Sequence, residues 1–236
     1  MNRPVWRCLV LIFLCGTVSF LIGCDSQQNK KPKPQPEANS PQAEDTETTH
    51  EDSSVSMFNG TTLDGWEQIE FGGEGDIEVV DGEIRMDAGG PMTGICVAED
   101  TELPTANYEI SLEGMKRDGT DFFCAITFPV NESHCTLVVG GWGGQTVGLS
   151  NLDGQDASAN QTRQMRKFEK DRWYAIRLQV LPDRITAWID DEKLIDESIE
   201  GVEVSIRGDV ISTTPLGITN FLTSSSIRNI KLRKMD

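Results

Sequence analysis

The chain has 236 residues, with 21 Lys and Arg against 38 Asp and Glu, a formal net charge of -17. An acidic balance of that size excludes most nucleic-acid binders, which need a basic footprint to displace counterions from phosphates. Once the first fifty or so non-globular residues are set aside, about 180 remain, enough for one domain that buries roughly 70% of its unfolded surface without disulfides or metals. The six cysteines therefore need another explanation.

Met1 to Arg7 carries Arg3 and Arg7 and no acidic residue, and Cys8 to Gly23 carries no charge. A basic start followed by an apolar stretch has the form of a secretory leader. An uncleaved membrane helix is the alternative, since about 17 apolar residues just reach across a bilayer. The stretch closes on Leu21-Ile22-Gly23-Cys24 before polar Asp25, and this resembles the lipobox of bacterial lipoproteins. The resemblance implies that residues 1–23 are a cleaved signal peptide, taking Cys8 and Cys15 with them, and that Cys24 carries a diacylglycerol anchoring an exported protein in the cell envelope. Residues 25–54 contain no Leu, Ile, Phe, Trp or Tyr. Such a segment cannot bury enough apolar area to offset its ordering entropy, so 24–54 reads as the lipidated Cys24 and a disordered linker. Residues 55–236 then hold 16 basic and 31 acidic side chains, a net charge of -15. That surface repels anionic headgroups, so the expected membrane contact is through the lipid anchor only.

From Val55 onward no long segment has a helical period, and short runs alternate with a period of two between Gly, Asn, Asp and Pro. The clearest are 77–86, 108–115, 122–128, 134–139, 172–181, 184–189 and 226–232, which predict an all-β sandwich or barrel. Tyr174, Ile176, Leu178 and Val180 form a core face, with Trp173, Ala175, Arg177 and Gln179 on the other. If Pro182-Asp183 is a two-residue turn, Arg177 lies opposite Trp188 and Ala175 opposite Asp190, making an outer patch of Trp, Arg and Asp. Pro182 does not suit the primed turns such hairpins favour, which leaves a longer loop and a shifted register open.

Several residues could carry chemistry. Glu74-Gly75-Asp76-Ile77-Glu78 is similar to the E-x-D-x-E signature of laminarinase-type retaining glycosidases, but Gly72-Gly73 argue for a loop and a solvated acidic segment. Gly140-Gly141-Trp142-Gly143-Gly144 can bring backbone close to a ligand, with Trp142 offering a flat face to a sugar ring. The other reading is a bend with Trp142 folded into the core. Asn151, Asp153, Asp156 and Asn160 follow, oxygen-bearing side chains able to meet sugar hydroxyls or a calcium ion. His134, beside Glu132 and Ser133, reads as a surface residue at a turn. Cys96, Cys124 and Cys135 are an odd number, so at most one disulfide forms within the domain, with Cys124 and Cys135 the expected pair; three buried thiols are the alternative.

Met57-Phe58-Asn59-Gly60-Thr61-Thr62-Leu63-Asp64-Gly65-Trp66 resembles the L-F-N-G-x-x-L-x-G-W opening of the 3-keto-disaccharide hydrolase family. Val80-Asp81-Gly82-Glu83-Ile84, Trp173-Tyr174 through Trp188-Ile189-Asp190, and Pro215-Leu216-Gly217-Ile218 through Ile227-Arg228-Asn229-Ile230-Lys231-Leu232 fit later motifs of the same family. The resemblance implies a concanavalin-like or laminin-G-like jelly-roll over 55–236 and a carbohydrate ligand. If the protein is an enzyme, it also implies cleavage of a glycosidic bond beside a 3-keto sugar. Where the family has Q-D-H-G this chain has Thr219-Asn220-Phe221-Leu222, so an acid or base is missing there. Trp142, Asn151, Asp153, Arg177, Trp188 and Asn220 are the candidate substrate contacts. A non-catalytic carbohydrate-binding, adhesion or scaffold module of the envelope is the alternative function.

Overall fold

A computed structural model of the chain describes residues 54–235. The expected signal peptide, Cys24 and the linker up to residue 53 lie outside the described residues. His50–Asp236 forms one compact unit. It carries its own hydrophobic core, which is the condition for folding independently.

In chain order the strands are β1 (Val55–Ser56), β2 (Trp66–Gln68), β3 (Ile77–Val80), β4 (Glu83–Met86), β5 (Met92–Val97), β6 (Tyr108–Gly119), β7 (Cys124–Val130) and β8 (Ser133–Gly140). Then come β9 (Thr146–Ser150), β10 (Gln164–Met165), β11 (Trp173–Leu181), β12 (Arg184–Ile189), β13 (Glu192–Ser198), β14 (Gly217–Phe221) and β15 (Thr223–Lys234). One sheet runs β13-β12-β11-β6-β15-β4-β3, with β1 against β15, and the other runs β10-β9-β8-β7-β14-β5-β2. The pairings are antiparallel, and the two sheets bury a common core.

The expected core face holds: Tyr174, Ile176, Leu178 and Val180 are all buried. Leu181 pairs with Arg184 and Arg177 with Trp188, so Pro182-Asp183 is the two-residue connection. Neither of them has positive φ, so the hairpin closes without a primed turn. The single segment expected over 77–86 is instead the hairpin of β3 and β4. Asp81 and Gly82 both take left-handed φ, 55° and 80°, and supply the Asp-Gly turn.

The disulfide considered between Cys124 and Cys135 does not form. Cys124 pairs across the ladder with Val139 and Cys135 with Phe128, four residues away along β8. At about 3.4 Å per residue that offset is roughly 14 Å, twice the Cα separation a disulfide spans. Cys96, Cys124 and Cys135 are free thiols. Burial raises the pKa of Cys124 and pushes that of Cys135 up to about 12, so both behave as small hydrophobes.

Candidate functional site

The outer face of the seven-stranded sheet carries two kinds of residue at two levels. Ladder pairing aligns Ser150 with Thr136, Thr136 with Thr127 and Thr127 with Gly217 in a polar row. Four residues further along β14, Phe221 pairs with Met92, and its N–H donates to the Phe122 carbonyl. The rings of Phe122 and Phe221 stack at 5.5 Å and 24°. Val138 and Ala125, paired with each other, lie between the two levels.

A six-residue 3-10 segment, Gly208–Thr213, lies over part of this face. Thr213 Oγ1 bonds Thr127 Oγ1 at 2.6 Å and donates to the Val210 carbonyl. A Cβ on Gly217 would stand 2.5 Å from the Thr213 carbonyl oxygen, so only glycine lets the segment lie this close. What remains open is a cleft of about 270 Å³, walled by Arg207, Asp209 and Val210 on one side and by Trp142, Phe122, Phe221, Met92 and Pro91 on the other, with Asp121 among its lining. Arg207 makes a paired contact with Asp209, Nε to Oδ1 at 3.0 Å and Nη2 to Oδ2 at 2.9 Å, and reaches Asp156 at 3.3 Å. The guanidinium holds the Asp209 carboxyl below its ordinary pKa.

Trp142 is 43% exposed, so the reading with its ring in the core is excluded. Its backbone is left-handed at φ 46°, inside a turn where Gly140, Gly143 and Gly144 are left-handed too. Asp121 fixes that turn: its carboxylate accepts the N–H groups of Phe122 at 2.9 Å, Trp142 at 3.1 Å and Gly143 at 3.2 Å.

The other candidates do not gather around Trp142. Arg177 and Trp188 lie on the eight-stranded sheet, where the guanidinium stacks 3.7 Å over the indole and bonds Glu109 at 3.0 Å. The expected outer patch of Trp, Arg and Asp exists, but on the opposite sheet from the cleft, across the core. Asn220 is not a surface contact. It is fully buried, its amide nitrogen donates to the Met86 carbonyl and to Ser225 Oγ, and its Oδ1 has no partner. Its neighbour Phe221 takes the place in the cleft.

Asn151 adjoins the polar row, accepting from Ser150 Oγ at 2.9 Å, while Asp153 is exposed and accepts the Glu203 N–H. Asp156 binds Ser158 and Arg207, and buried Asn160 bonds Thr162 and the Leu149 carbonyl. These oxygens hold their own loop rather than converge on a cation. Among the described residues no three His, Cys, Asp or Glu side chains group as metal ligands. Glu74 precedes β3, and its carboxylate accepts the N–H groups of Phe71, Gly72 and Gly73, bonds that lower its pKa. It is a loop clasp rather than half of a carboxylate pair. His134 is half-buried near the β7–β8 turn and outside the cleft lining, with burial favouring its neutral form.

Sequence reasoning missed Asp121, Phe122, Phe221, Arg207, Thr136 and Ser150. The Phe122-Phe123 pair beside Asp121 was the visible signal, but it reads equally well as the start of a core strand.

A family model described as the 3-keto-alpha-glucoside-1,2-lyase-like domain matches residues 53–233. No curated protein matches the chain. Among solved structures, the exoplasmic/lumenal domain of VIP36 in its Ca2+/Man3GlcNAc-bound form aligns with a TM-score of 0.52 and 11% identity, covering 79% of this chain and 90% of that one. A laminarinase from Flavobacterium sp. UMI-01 aligns at 0.51 and 11%, covering 77% and 98%. The Crh5 transglycosylase in complex with NAG aligns at 0.50 and 12%, covering 78% and 84%. At such identities the likeness is one of fold, the jelly-roll sandwich.

Proposed function

The chain belongs to the 3-keto-alpha-glucoside-1,2-lyase-like family, and on that premise we propose that its sandwich binds a carbohydrate in the cleft beside Trp142 without turning it over. The observation that carries this reading is Trp142 itself, an exposed indole held over the cleft on left-handed backbone by Asp121. Bulky exposed residues in that conformation cost about 1–3 kcal/mol and cluster at ligand sites. Ser150, Thr136 and Arg207 place hydrogen-bonding groups in the cleft lining for sugar hydroxyls.

The family's lyase description implies a base that removes the C2 proton, acidified by the C3 ketone, as the C1 substituent leaves. The carboxylates lining the cleft are committed: Asp121 to three backbone N–H groups and Asp209 to Arg207. Phe221, a hydrocarbon ring, stands where the resembled motif has histidine. These features favour binding over catalysis.

Calorimetric titration of the unit His50–Asp236 with glucosides tests this. Trp142→Ala is expected to weaken binding at least about tenfold, the loss of one well-placed aromatic contact. Unchanged affinity would sink the cleft assignment, and product formed from a 3-keto-disaccharide would sink the non-catalytic one. Delivery of this unit to the cell envelope on lipidated Cys24 is part of the proposal, supported by the leader and the Leu21–Cys24 motif. Metabolic lipid labelling should vanish in Cys24→Ala, and label that persists would refute the anchor.

A further inference from the structure

The cleft is polar at one end and aromatic at the other. Thr136 and Ser150 share one level of the sheet, and Phe221 stands four residues beyond that level on β14. Strand rise makes the separation about 14 Å, longer than a single sugar ring needs. At the aromatic end Phe221 and Phe122 stack, with Met92 and Pro91 beside them. The one carboxylate there, Asp121, already accepts three N–H groups. A sugar hydroxyl placed at this end would exchange water for hydrocarbon and find few partners, a cost that sorts ligands strongly.

A second, independent feature adjoins the lining residues Phe221 and Pro91. Leu222, next to Phe221, is 47% exposed and left-handed at φ 47°, with its N–H bonded to the Pro91 carbonyl. An aliphatic side chain has no local hydrogen bond to offset that conformation, unlike the Asn and Asp residues that usually adopt it. Trp142 repeats the pattern at φ 46°. Two bulky apolar residues are thus held out to solvent on unfavourable backbone, Trp142 in the lining of the cleft and Leu222 next to the lining residue Phe221 in the chain. Ile211, 62% exposed beside Val210, adds a third apolar residue next to the lining.

We infer that the ligand is a glycoside carrying an apolar aromatic aglycone, its sugar at the Thr136–Ser150 end and its aglycone against Phe122 and Phe221. The inference rests on the carbohydrate-binding reading and narrows it to one ligand class. The division of labour is physical. Hydroxyls go where protein donors and acceptors replace water, and an aryl ring goes where stacked phenyl rings offer faces and nothing needs hydrogen bonding.

Titrating the unit His50–Asp236 with 4-nitrophenyl α-glucoside and with maltose separates the ideas. The aryl glucoside is expected to bind about tenfold tighter than maltose, and Phe221→Ala to erase that advantage by weakening the aryl glucoside far more than it weakens maltose. Leu222→Gly guards against mere misfolding. It removes the left-handed strain, so its melting temperature should rise while aryl-glucoside affinity falls severalfold. Maltose binding as tightly as the aryl glucoside, or both weakening equally in Phe221→Ala, overturns the aglycone assignment and leaves carbohydrate binding standing. If neither ligand binds, the broader reading falls with it.

Discussion

Asp121→Ala is expected to lower stability by about 1–2 kcal/mol, the scale of removing a charged acceptor from one partly buried and two exposed N–H groups, and to reduce ligand binding below detection. The carboxylate satisfies Phe122, Trp142 and Gly143 at once, and each bond reaches a different part of the site: the first ring of the aromatic end, the indole, and the glycine turn. Without it the turn loses the partner that offsets left-handed φ at Trp142. Asp121→Asn keeps one carbonyl oxygen, the acceptor for Phe122 and Trp142, and should cost about 1 kcal/mol. Urea denaturation and glucoside titration of the same samples check both effects. An Asp121→Ala protein with an unchanged midpoint and affinity would remove the basis for treating the turn as a positioned binding element.

Phe123→Ala is expected to cost about 3–5 kcal/mol, the range for truncating a fully buried phenylalanine. The Phe123 ring packs edge-on to Phe168 at 5.0 Å and tilted to Tyr174 at 6.0 Å, and Tyr174 and Phe168 meet at 5.0 Å. Tyr174 OH also accepts the Glu169 N–H, tying the cluster to the chain entering β11. The ring is packed against Gly140, where an added Cβ would come within 3.1 Å of it, so the cavity opens directly beneath the Trp142 turn. Ligand affinity should therefore fall together with stability. Phe123→Leu, which keeps most of the volume, should cost about 1–1.5 kcal/mol. A loss below about 1 kcal/mol for the alanine variant would mean that the cluster collapses around the gap, contrary to the close packing that holds the turn.

The strands that were legible in the sequence are those whose alternation separates bulky apolar from polar residues without ambiguity. Tyr174 through Val180 and Ile185 through Ile189 fix β11 and β12, whereas the two-residue connection between them, which Pro182 left open, was decided by the pairing of Leu181 with Arg184. The strands passed over have reasons. β9 carries Gly148, which lies against Ala157, and β13 is a charged edge strand of the kind that discourages further pairing. In β14 the alternation is uninformative: one face reads Ile218 and Asn220, the other Gly217, Thr219 and Phe221. Neither set is clearly the core set, and the polar residue proved to be the buried one.

The candidate site divides in the same way. The glycine run around Trp142 marked a place where backbone conformation matters, because only glycine takes left-handed φ freely, and that much is local. Whether the indole points in or out depended on Asp121, twenty-one residues earlier, whose carboxylate the fold brings beneath the turn.

By itself the sequence determined the all-β class, the core face of β11 and the departure from Q-D-H-G, since period and composition act over a few neighbouring residues. Only the tertiary structure decided that Trp142 and Phe221 share a cleft while Arg177 and Trp188 lie across the core. Alternation assigns a side chain to one of two faces, but which faces of which strands meet is settled by long-range pairing and sheet packing.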